Sequence, residues 1–307
     1  MSLWKHYHLA HSVEEALQTL ADAAGPARLV AGGTDLLLDL QQGRQPTVDT
    51  LVDVTSIPEL NSLGLRQDRL YIGAGVPLSR IISSPLVMDH AQALIEASEL
   101  IGGPQVRNVA TLGGNVAHAL PAADGSIALL ALDAKVEVAS FNMRRLVLLE
   151  ALFLGPGKSS LDPGKEIILG FYIPLRESRQ SSAFKRVMRP QGVALPILNV
   201  ATWLERSWES GLGDFIGDLR IAIGPGGPKP IRARSSENVL RGKPVSEKNT
   251  ALAVETMLEE SSFRTSPWRA SASYRRYLAG VLLKETLMTA WNRSYPPGDE
   301  RNAKIGA

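Results

Sequence analysis

Cysteine is missing altogether from the 307-residue chain. Without it there is no disulfide, no cysteine-ligated iron–sulfur cluster and no cofactor attached through sulfur in this polypeptide. If electrons pass through an iron–sulfur centre, another polypeptide holds it. Long apolar runs are also lacking: none reaches the roughly 18 residues that cross a bilayer. Nor is one sign of charge in excess, with 33 Lys and Arg against 31 Asp and Glu and a net charge of +2. No strong field therefore recruits nucleic acid or an anionic membrane. The C-terminal third is locally basic (Arg264, Arg269, Arg275, Arg276) but without aromatic interleaving suited to base stacking. A solvated helix face or a contact with another subunit is expected there. The opening stretch, MSLWKHYHLAHSVEE, has an acidic pair and no apolar h-region; no signal peptide is expected, and a cytoplasmic protein is the default.

Catalytic side-chain sets are scarce too. No serine sits in GxSxG and no Ser/His/Asp set stands out, so hydrolysis lacks a nucleophile. The carboxylates fall on helix faces with no identifiable acid/base pair, and no catalytic residue is assigned. Of the five histidines, His6 and His8 share a strand face without further ligands at metal spacing, and no metal site is expected. Any redox chemistry then belongs to a cofactor, with the protein supplying position and electrostatics.

Two glycine clusters are what the chain does have. The first is Leu29–Leu36 (LVAGGTDL); the second lies in Ile101–Ser126 (IGGPQVRNVATLGGNVAHALPAADGS). Each sets paired glycines beside a hydroxyl and a carboxylate or carboxamide: Gly32-Gly33-Thr34-Asp35 and Thr111-Leu112-Gly113-Gly114-Asn115. Glycine lets successive backbone N–H groups converge on one point, and such a nest suits a phosphate oxygen. Two nests with donors alongside suit a diphosphate held between two segments. Neither is a P-loop, and the nearest match to a dinucleotide-binding GxGxxG, Gly73-Ala-Gly75, has Pro77 and then Leu78 in place of the third glycine. Gly224–Pro230 (GPGGPKP) reads as a turn, because proline has no N–H to offer.

Along the chain, Ser12 and Glu15 read as a capping box opening a helix to Ala23. Ala27–Ala31 reads as a strand into the first glycine pair, then a helix Asp35–Gln42 that Asp35 would help cap, then a strand Thr50–Val54. Leu63–Leu65 and Arg69–Ala74 read as a hairpin; Leu78–Ile82, Met88–Leu100 and Ser126–Leu132 as helical. Lys135–Ala139, Arg145–Leu148 and Glu166–Ile173 read as strands, with Phe153–Lys158 a loop between them. Arg176–Ser182 is the best linker candidate. Ala183–Val187, Leu195–Leu204 and Asp218–Ile223 follow as strands, then helices at Glu237–Leu240, Glu247–Glu260 and Ser271–Trp291, and a tail that should fray.

The motifs AGGTDLL (Ala31–Leu37) and RNVATLGGN (Arg107–Asn115) resemble those of the FAD-binding (medium) subunit of the molybdenum hydroxylases, the family of xanthine dehydrogenase and carbon monoxide dehydrogenase. LVDVTSIPEL (Leu51–Leu60), PAADGS (Pro121–Ser126) and SAFKRVMR (Ser182–Arg189) support this, in family order from about residue 4 to about residue 290. The resemblance implies an α+β fold: a two-part FAD-binding domain of the vanillyl-alcohol-oxidase/PCMH type (1–56 and 57–175), a smaller α/β C-terminal domain (176–292) and a tail (293–307). It implies noncovalent FAD in this chain, with [2Fe-2S] and molybdopterin in a small and a large partner subunit, in a heterotrimer or its dimer. Electrons would pass from the partner's [2Fe-2S] centres through FAD to an acceptor. Carried over residue by residue, the first FAD segment is Arg28, Leu29, Val30, Ala31, Gly32, Gly33, Thr34, Asp35 and Leu36. The second is Ala110, Thr111, Gly113, Gly114 and Asn115, with Ile101 before it. Asp124 matches an acidic residue that meets cofactor hydroxyls, and Ile168 and Lys185 match positions near the isoalloxazine. Lys185 reads equally as an ordinary surface charge, and His118 as a locally hydrogen-bonded wall residue. At Gly192-Val193 the chain departs from relatives that place an acidic residue there. A free-standing FAD oxidase or reductase and a non-enzymatic nucleotide-binding assembly protein are the alternatives.

Overall fold

A computed structural model describes residues 3–189, 195–211 and 213–295; Gly192-Val193 and the tail beyond Tyr295 lie outside them. Three sheets follow one another along the chain. The first is parallel, in the order β1–β3–β2, and comes from β1 (His6–Leu9), α1 (Val13–Asp22), β2 (Ala27–Val30), α2 (Leu36–Gln41) and β3 (Thr50–Asp53). Ser12 caps α1 as its spacing predicts, accepting from the Glu15 N–H at 3.0 Å. The reciprocal half of the box differs: the Glu15 carboxylate accepts from the His11 N–H at 2.7 Å and pairs with His8 Nε2 at 2.8 Å. His8 therefore has a carboxylate partner that its spacing did not reveal. Asp35 stands at the N-cap of α2 with an exposed side chain that makes no cap bond, contrary to the capping expectation.

The second sheet is antiparallel. It is built by β4 (Leu63–Arg66), β5 (Arg69–Gly73), then helices α3 (Leu78–Ile82), α4 (Pro85–His90), α5 (Gln92–Leu100), α6 (Pro104–Arg107), α7 (Leu112–Ala117) and α8 (Asp124–Ala131), followed by β6 (Lys135–Ser140), β7 (Met143–Leu148), a small hairpin β8 (Phe153–Gly155) and β9 (Lys158–Ser159), and β10 (Glu166–Pro174). The order is β4–β5–β10–β6–β7. The β4–β5 turn places Gln67 and Asp68 at φ 49° and 55°, the left-handed pair that a two-residue hairpin requires. Two expectations change here. The single helix Met88–Leu100 is two, because Pro85 opens α4 at its first position and Ala91, at φ −142°, separates it from α5. The Phe153–Lys158 loop is the hairpin β8–β9.

The third sheet is antiparallel in the order β11–β12–β13–β14, from β11 (Gln180–Val187), β12 (Leu198–Glu209), β13 (Gly213–Gly224) and β14 (Ile231–Arg232). Behind it lie α9 (Arg234–Leu240), α10 (Glu247–Glu260) and α11 (Ala272–Arg293). Every residue of α8 is buried, and α8 packs on α5 and α7 on one side and on β12 and β13 on the other. Fully burying each of its larger apolar side chains contributes about 1.5–3 kcal/mol. One core accordingly runs from Leu70 and Ile72 of the second sheet through α8 to Phe184, Ala201, Trp203 and Ala222 of the third. Among the described residues, no helix is long and apolar enough to cross a membrane.

Candidate functional site

The two glycine clusters meet. A Cβ built on Gly32 would lie 2.0 Å from the Val109 carbonyl oxygen and 3.0 Å from Ala110 Cα. Only glycine permits that approach, so the turn after β2 rests directly on the backbone that enters the second cluster. Gly33 adds a left-handed conformation at φ 66°. Beyond it, the backbone N–H groups of Gly32, Gly33, Thr34 and Asp35 have no protein acceptor among the described residues. Successive amides without protein acceptors are donors of the kind that an anionic oxygen takes up.

The second cluster is built differently from the nest its glycines predict. Thr111 is the N-cap of α7, its hydroxyl accepting from the Gly114 N–H at 3.1 Å. Leu112 N–H donates to Val76 O at 3.4 Å and Gly113 N–H to Ala74 O at 2.9 Å. These amides are spent inside the protein. Gly113 is glycine because a Cβ there would stand 2.6 Å from Ala74 O. Gly114 is exposed and faces open space, with Thr111 Oγ1 as its one near neighbour at 3.2 Å. What the cluster presents is this open face, flanked by the Thr111 O–H proton and the Asn115 side chain. Asn115 Oδ1 is buried with no partner among the described residues and would lie 2.8 Å from a Cβ on Gly125.

The segment Gly73-Ala-Gly75, whose glycines imitate a nucleotide motif, is the seat for α7. A Cβ on Gly73 would come within 2.2 Å of Leu60 O, and Ala74 bonds both Gly113 N–H and, through its own N–H, Leu169 O at 2.9 Å. Ile168, 6% exposed, is thereby brought under the same layer.

At the start of α8, Asp124 is buried and takes two donors: Arg186 Nη1 at 2.5 Å and Asn199 Nδ2 at 2.6 Å. Arg186 also donates to Leu100 O, next to Ile101. Arg186 and Asn199 are direct cross-strand partners on β11 and β12, and Gly224 of β13 faces Asn199 in the same row. Burial raises the Asp124 carboxyl to about 6, an effect larger than the opposing pull of Arg186 and Asn199. Three more buried polar atoms around this turn lack partners among the described residues: Ser126 Oγ, Arg186 Nε and Asn199 Oδ1. A carboxylate offers about four acceptor positions, so the two donors on Asp124 leave room for hydroxyl groups.

The remaining candidates spread out. Arg28 is partly buried and donates to its neighbour Ala27 O at 2.9 Å, Leu29 and Ala31 are partly buried, Val30 and Ala110 are buried, and Leu36 opens α2. Lys185 is exposed on β11, with no partner among the described residues. His118 ends α7, and its side chain has no hydrogen bond among the described residues. Arg186, Asn199 and Ser126 were not picked out from the sequence. The signal was available for two of them: Arg186 shares a strand face with Phe184, and Asn199 with Ala201 and Trp203. Polar residues alternating with core residues on one face must have buried partners.

A diphosphate-bearing, hydroxyl-rich cofactor fits this arrangement, through the free Gly32–Asp35 amides, the open face of Gly114 and the orphaned Asn115 Oδ1. Comparison with known proteins points the same way. The family model described as the FAD binding domain in molybdopterin dehydrogenase matches residues 3–176, and the CO dehydrogenase flavoprotein C-terminal domain matches residues 182–290. The chain is 33% identical over 287 residues to the xanthine dehydrogenase FAD-binding subunit of Escherichia coli O157:H7, covering 92% of this chain and 95% of that one. Among solved structures it resembles carbon monoxide dehydrogenase from Hydrogenophaga pseudoflava lacking the Mo-pyranopterin moiety (TM-score 0.87, 28% identity, 94% of this chain and 98% of that one). Quinoline 2-oxidoreductase from Pseudomonas putida 86 is similar as well (TM-score 0.85, 27% identity, 95% of this chain and 98% of that one).

Proposed function

The chain belongs to the FAD-binding flavoproteins of the molybdenum hydroxylase family, and from that premise we propose that it relays electrons from [2Fe-2S] centres of a small partner subunit to an acceptor, in a complex whose large subunit carries molybdopterin. It is an oxidoreductase subunit with FAD as its own cofactor. FAD, when bound, supplies two-electron and one-electron chemistry at one ring. The residues supply position. In the proposed site the Gly32–Asp35 amides receive the diphosphate, and Thr111 and Asn115 donate from the other side across the open face of Gly114. Asp124, fixed by Arg186 and Asn199, accepts from cofactor hydroxyls, and the side chains of Ile168 and Lys185 flank the ring.

The observation that carries this reading is the contact of Gly32 with Val109 and Ala110, which joins two sequence-distant clusters into one wall. The proposed units are 1–56, 57–175 and 176–292, one for each main sheet. Cysteine is absent, so the chain cannot ligate the clusters that feed it and depends on its neighbours. Similar proteins bear names of xanthine, carbon monoxide and quinoline enzymes; in this reading the large subunit sets the substrate, which is why this chain carries no acid/base set of its own. The test is to express the chain alone and with the products of adjacent genes. Acid precipitation of the isolated chain should release all flavin as FAD, and candidate substrates should bleach the 450 nm band only in the complex. Substrate-driven bleaching of the isolated chain would instead make it a free-standing flavoenzyme.

A further inference from the structure

The N-terminal end of α11 is a positive pole without counter-charge. Helix N-termini carry a partial positive charge, and the first turn of this 22-residue helix has no acidic residue. Arg264 and Arg269 lie in the segment leading into it, and Arg275 and Arg276 in its first turns. None of the four is in an ion pair among the described residues. The preceding loop is ordered against the helix: Ala272 N–H donates to Thr265 Oγ1 at 3.1 Å, and Ser266 pairs with Ala270.

Arg275 is the anomaly in this group. It is 3% exposed, its Nε is buried without an acceptor, and no acceptor for its terminal nitrogens is found among the described residues. Burial, and then the nearby Arg269 and Arg264, hold its guanidinium below the ordinary value. A buried cation without a partner is costly, and its neighbours raise that cost. Arg276, by contrast, is exposed and satisfied by Leu258 O at 3.1 Å. Exposed aromatic residues accompany these arginines along the chain: Trp268, 82% exposed, precedes Arg269, and Tyr274 and Tyr277 are exposed in the first turns of α11. Aromatic residues thus do interleave the arginines here, at Trp268, Tyr274 and Tyr277, contrary to the sequence reading above. Tryptophan and tyrosine around arginine is the make-up of a protein–protein hot spot.

We propose that Arg264, Arg269 and Arg275 form a docking site for an acidic segment of a partner subunit, with a carboxylate seated on Arg275 and the flanking chain laid across Trp268. The proposal rests on the multi-subunit reading above. Charge complementarity selects an acidic occupant, and the exposed aromatic area selects a polypeptide over a small anion, which would leave Trp268 uncovered.

The test uses the full chain co-expressed with its neighbouring subunits. Arg264→Glu with Arg269→Glu changes two exposed side chains, so folding is expected to survive; flavin content and melting temperature serve as controls. Trp268→Ala and Arg275→Gln complete the set. The charge-reversed chain should bind its partners about 100-fold or more weakly, and the wild-type complex should weaken as salt rises. Complexes of unchanged affinity and salt response would overturn the docking site and leave the electron-relay reading intact. A wild-type chain that elutes alone would overturn both. Isolated wild-type chain that binds inorganic pyrophosphate or a single-stranded oligonucleotide through these arginines, with assembly unaffected by the substitutions, would overturn the docking site in favour of a free polyanion.

Discussion

A methyl group on Gly32 has no room. Its nearest neighbours are backbone atoms of Val109, at 2.0 Å and 2.6 Å, and backbone cannot swing aside as a side chain can. Gly32→Ala should force the two glycine clusters apart, costing about 1–3 kcal/mol and most of the bound FAD. Gly114→Ala offers the contrast: its Cβ would meet Thr111 Oγ1 alone, at 3.2 Å, and alanine suits helix α7 better by about 0.5–1 kcal/mol. That variant should melt no lower than the parent yet bind FAD more weakly, because its methyl group occupies the open face. Equal loss of stability in both variants, or unchanged FAD in Gly114→Ala, would move the diphosphate elsewhere. The spacing of both glycine pairs was legible in the sequence, but their division of labour was not. Which amides are free depends on Ala74 and Val76, residues far away in the chain.

Asp124 adds a titration whose sign can be worked out. Its folded carboxyl is raised to about 6 by burial, above the ordinary value of about 3.9. The folded chain therefore binds this proton more tightly than the unfolded chain does. The stability contributed by this group is fully present below about pH 4 and is lost as pH rises through about 6. A shift of about two units corresponds to about 3 kcal/mol. Partly buried carboxylates such as Glu15 and Asp49, whose values are lowered by hydrogen bonds they accept, act in the opposite sense, so the quantity to read is a difference. The unfolding free energy of the parent minus that of Asp124→Asn should increase by about 2 kcal/mol between pH 7 and pH 4. A flat difference would mean that Arg186 holds the carboxyl near its ordinary value.

At the scale of elements, polar composition misled where local hydrogen bonding decided. Arg176–Ser182 is the most polar run in the chain and reads as a linker. In the structure Gln180–Ser182 already belong to β11, and the rest is tied down. Arg176 N–H donates to His90 Nδ1 at 3.1 Å, its Nε donates to Asp89 O at 2.6 Å, and Glu177 N–H donates to Gln180 Oε1 at 2.9 Å. Arg179, at φ 66°, turns the chain into the strand and accepts from Arg206 N–H at 2.9 Å. Limited trypsin digestion of the native protein should consequently leave Arg176 and Arg179 uncut while cleaving other sites, as read by mass spectrometry; early cleavage at either would show a true linker. Elements with strong local signals were legible to within a few residues: α1 through Ser12, which accepts from the N–H three residues on, and α10 from its own pattern at Glu247–Glu260, where the structure adds a Ser246 cap of the same kind. The break at Ala91 was less legible, since nothing about alanine marks a helix end.

For the whole molecule, the decisive fact is that the second and third sheets share a core. Phe184, Ala201, Trp203 and Ala222 pack into the cluster that contains Leu70, Ile127 and Phe171, and the buried carboxylate of Asp124 takes its side-chain donors, among the described residues, from Arg186 and Asn199 of the third sheet. The C-terminal helix is clamped to that sheet in turn: the Arg206 guanidinium lies 3.5 Å from the Trp291 ring centroid and 3.4 Å from that of Tyr295. Sequence reasoning separates the units at the polar run, and independent units would let a fragment ending there fold by itself. The packing implies otherwise. A fragment ending at residue 175 would expose one whole face of α8, forfeiting about 1.5–3 kcal/mol for each large apolar side chain uncovered. Such losses rival the total stability of a domain, about 5–15 kcal/mol. The fragment should therefore lack a cooperative thermal transition, bind a hydrophobic dye and retain little FAD, even though it keeps both glycine clusters intact. Adding the separately expressed 176–295 segment should restore both the transition and the flavin if the shared core is what fails. A fragment that melts cooperatively and holds stoichiometric FAD by itself would show that α8 and Asp124 need nothing from the third sheet.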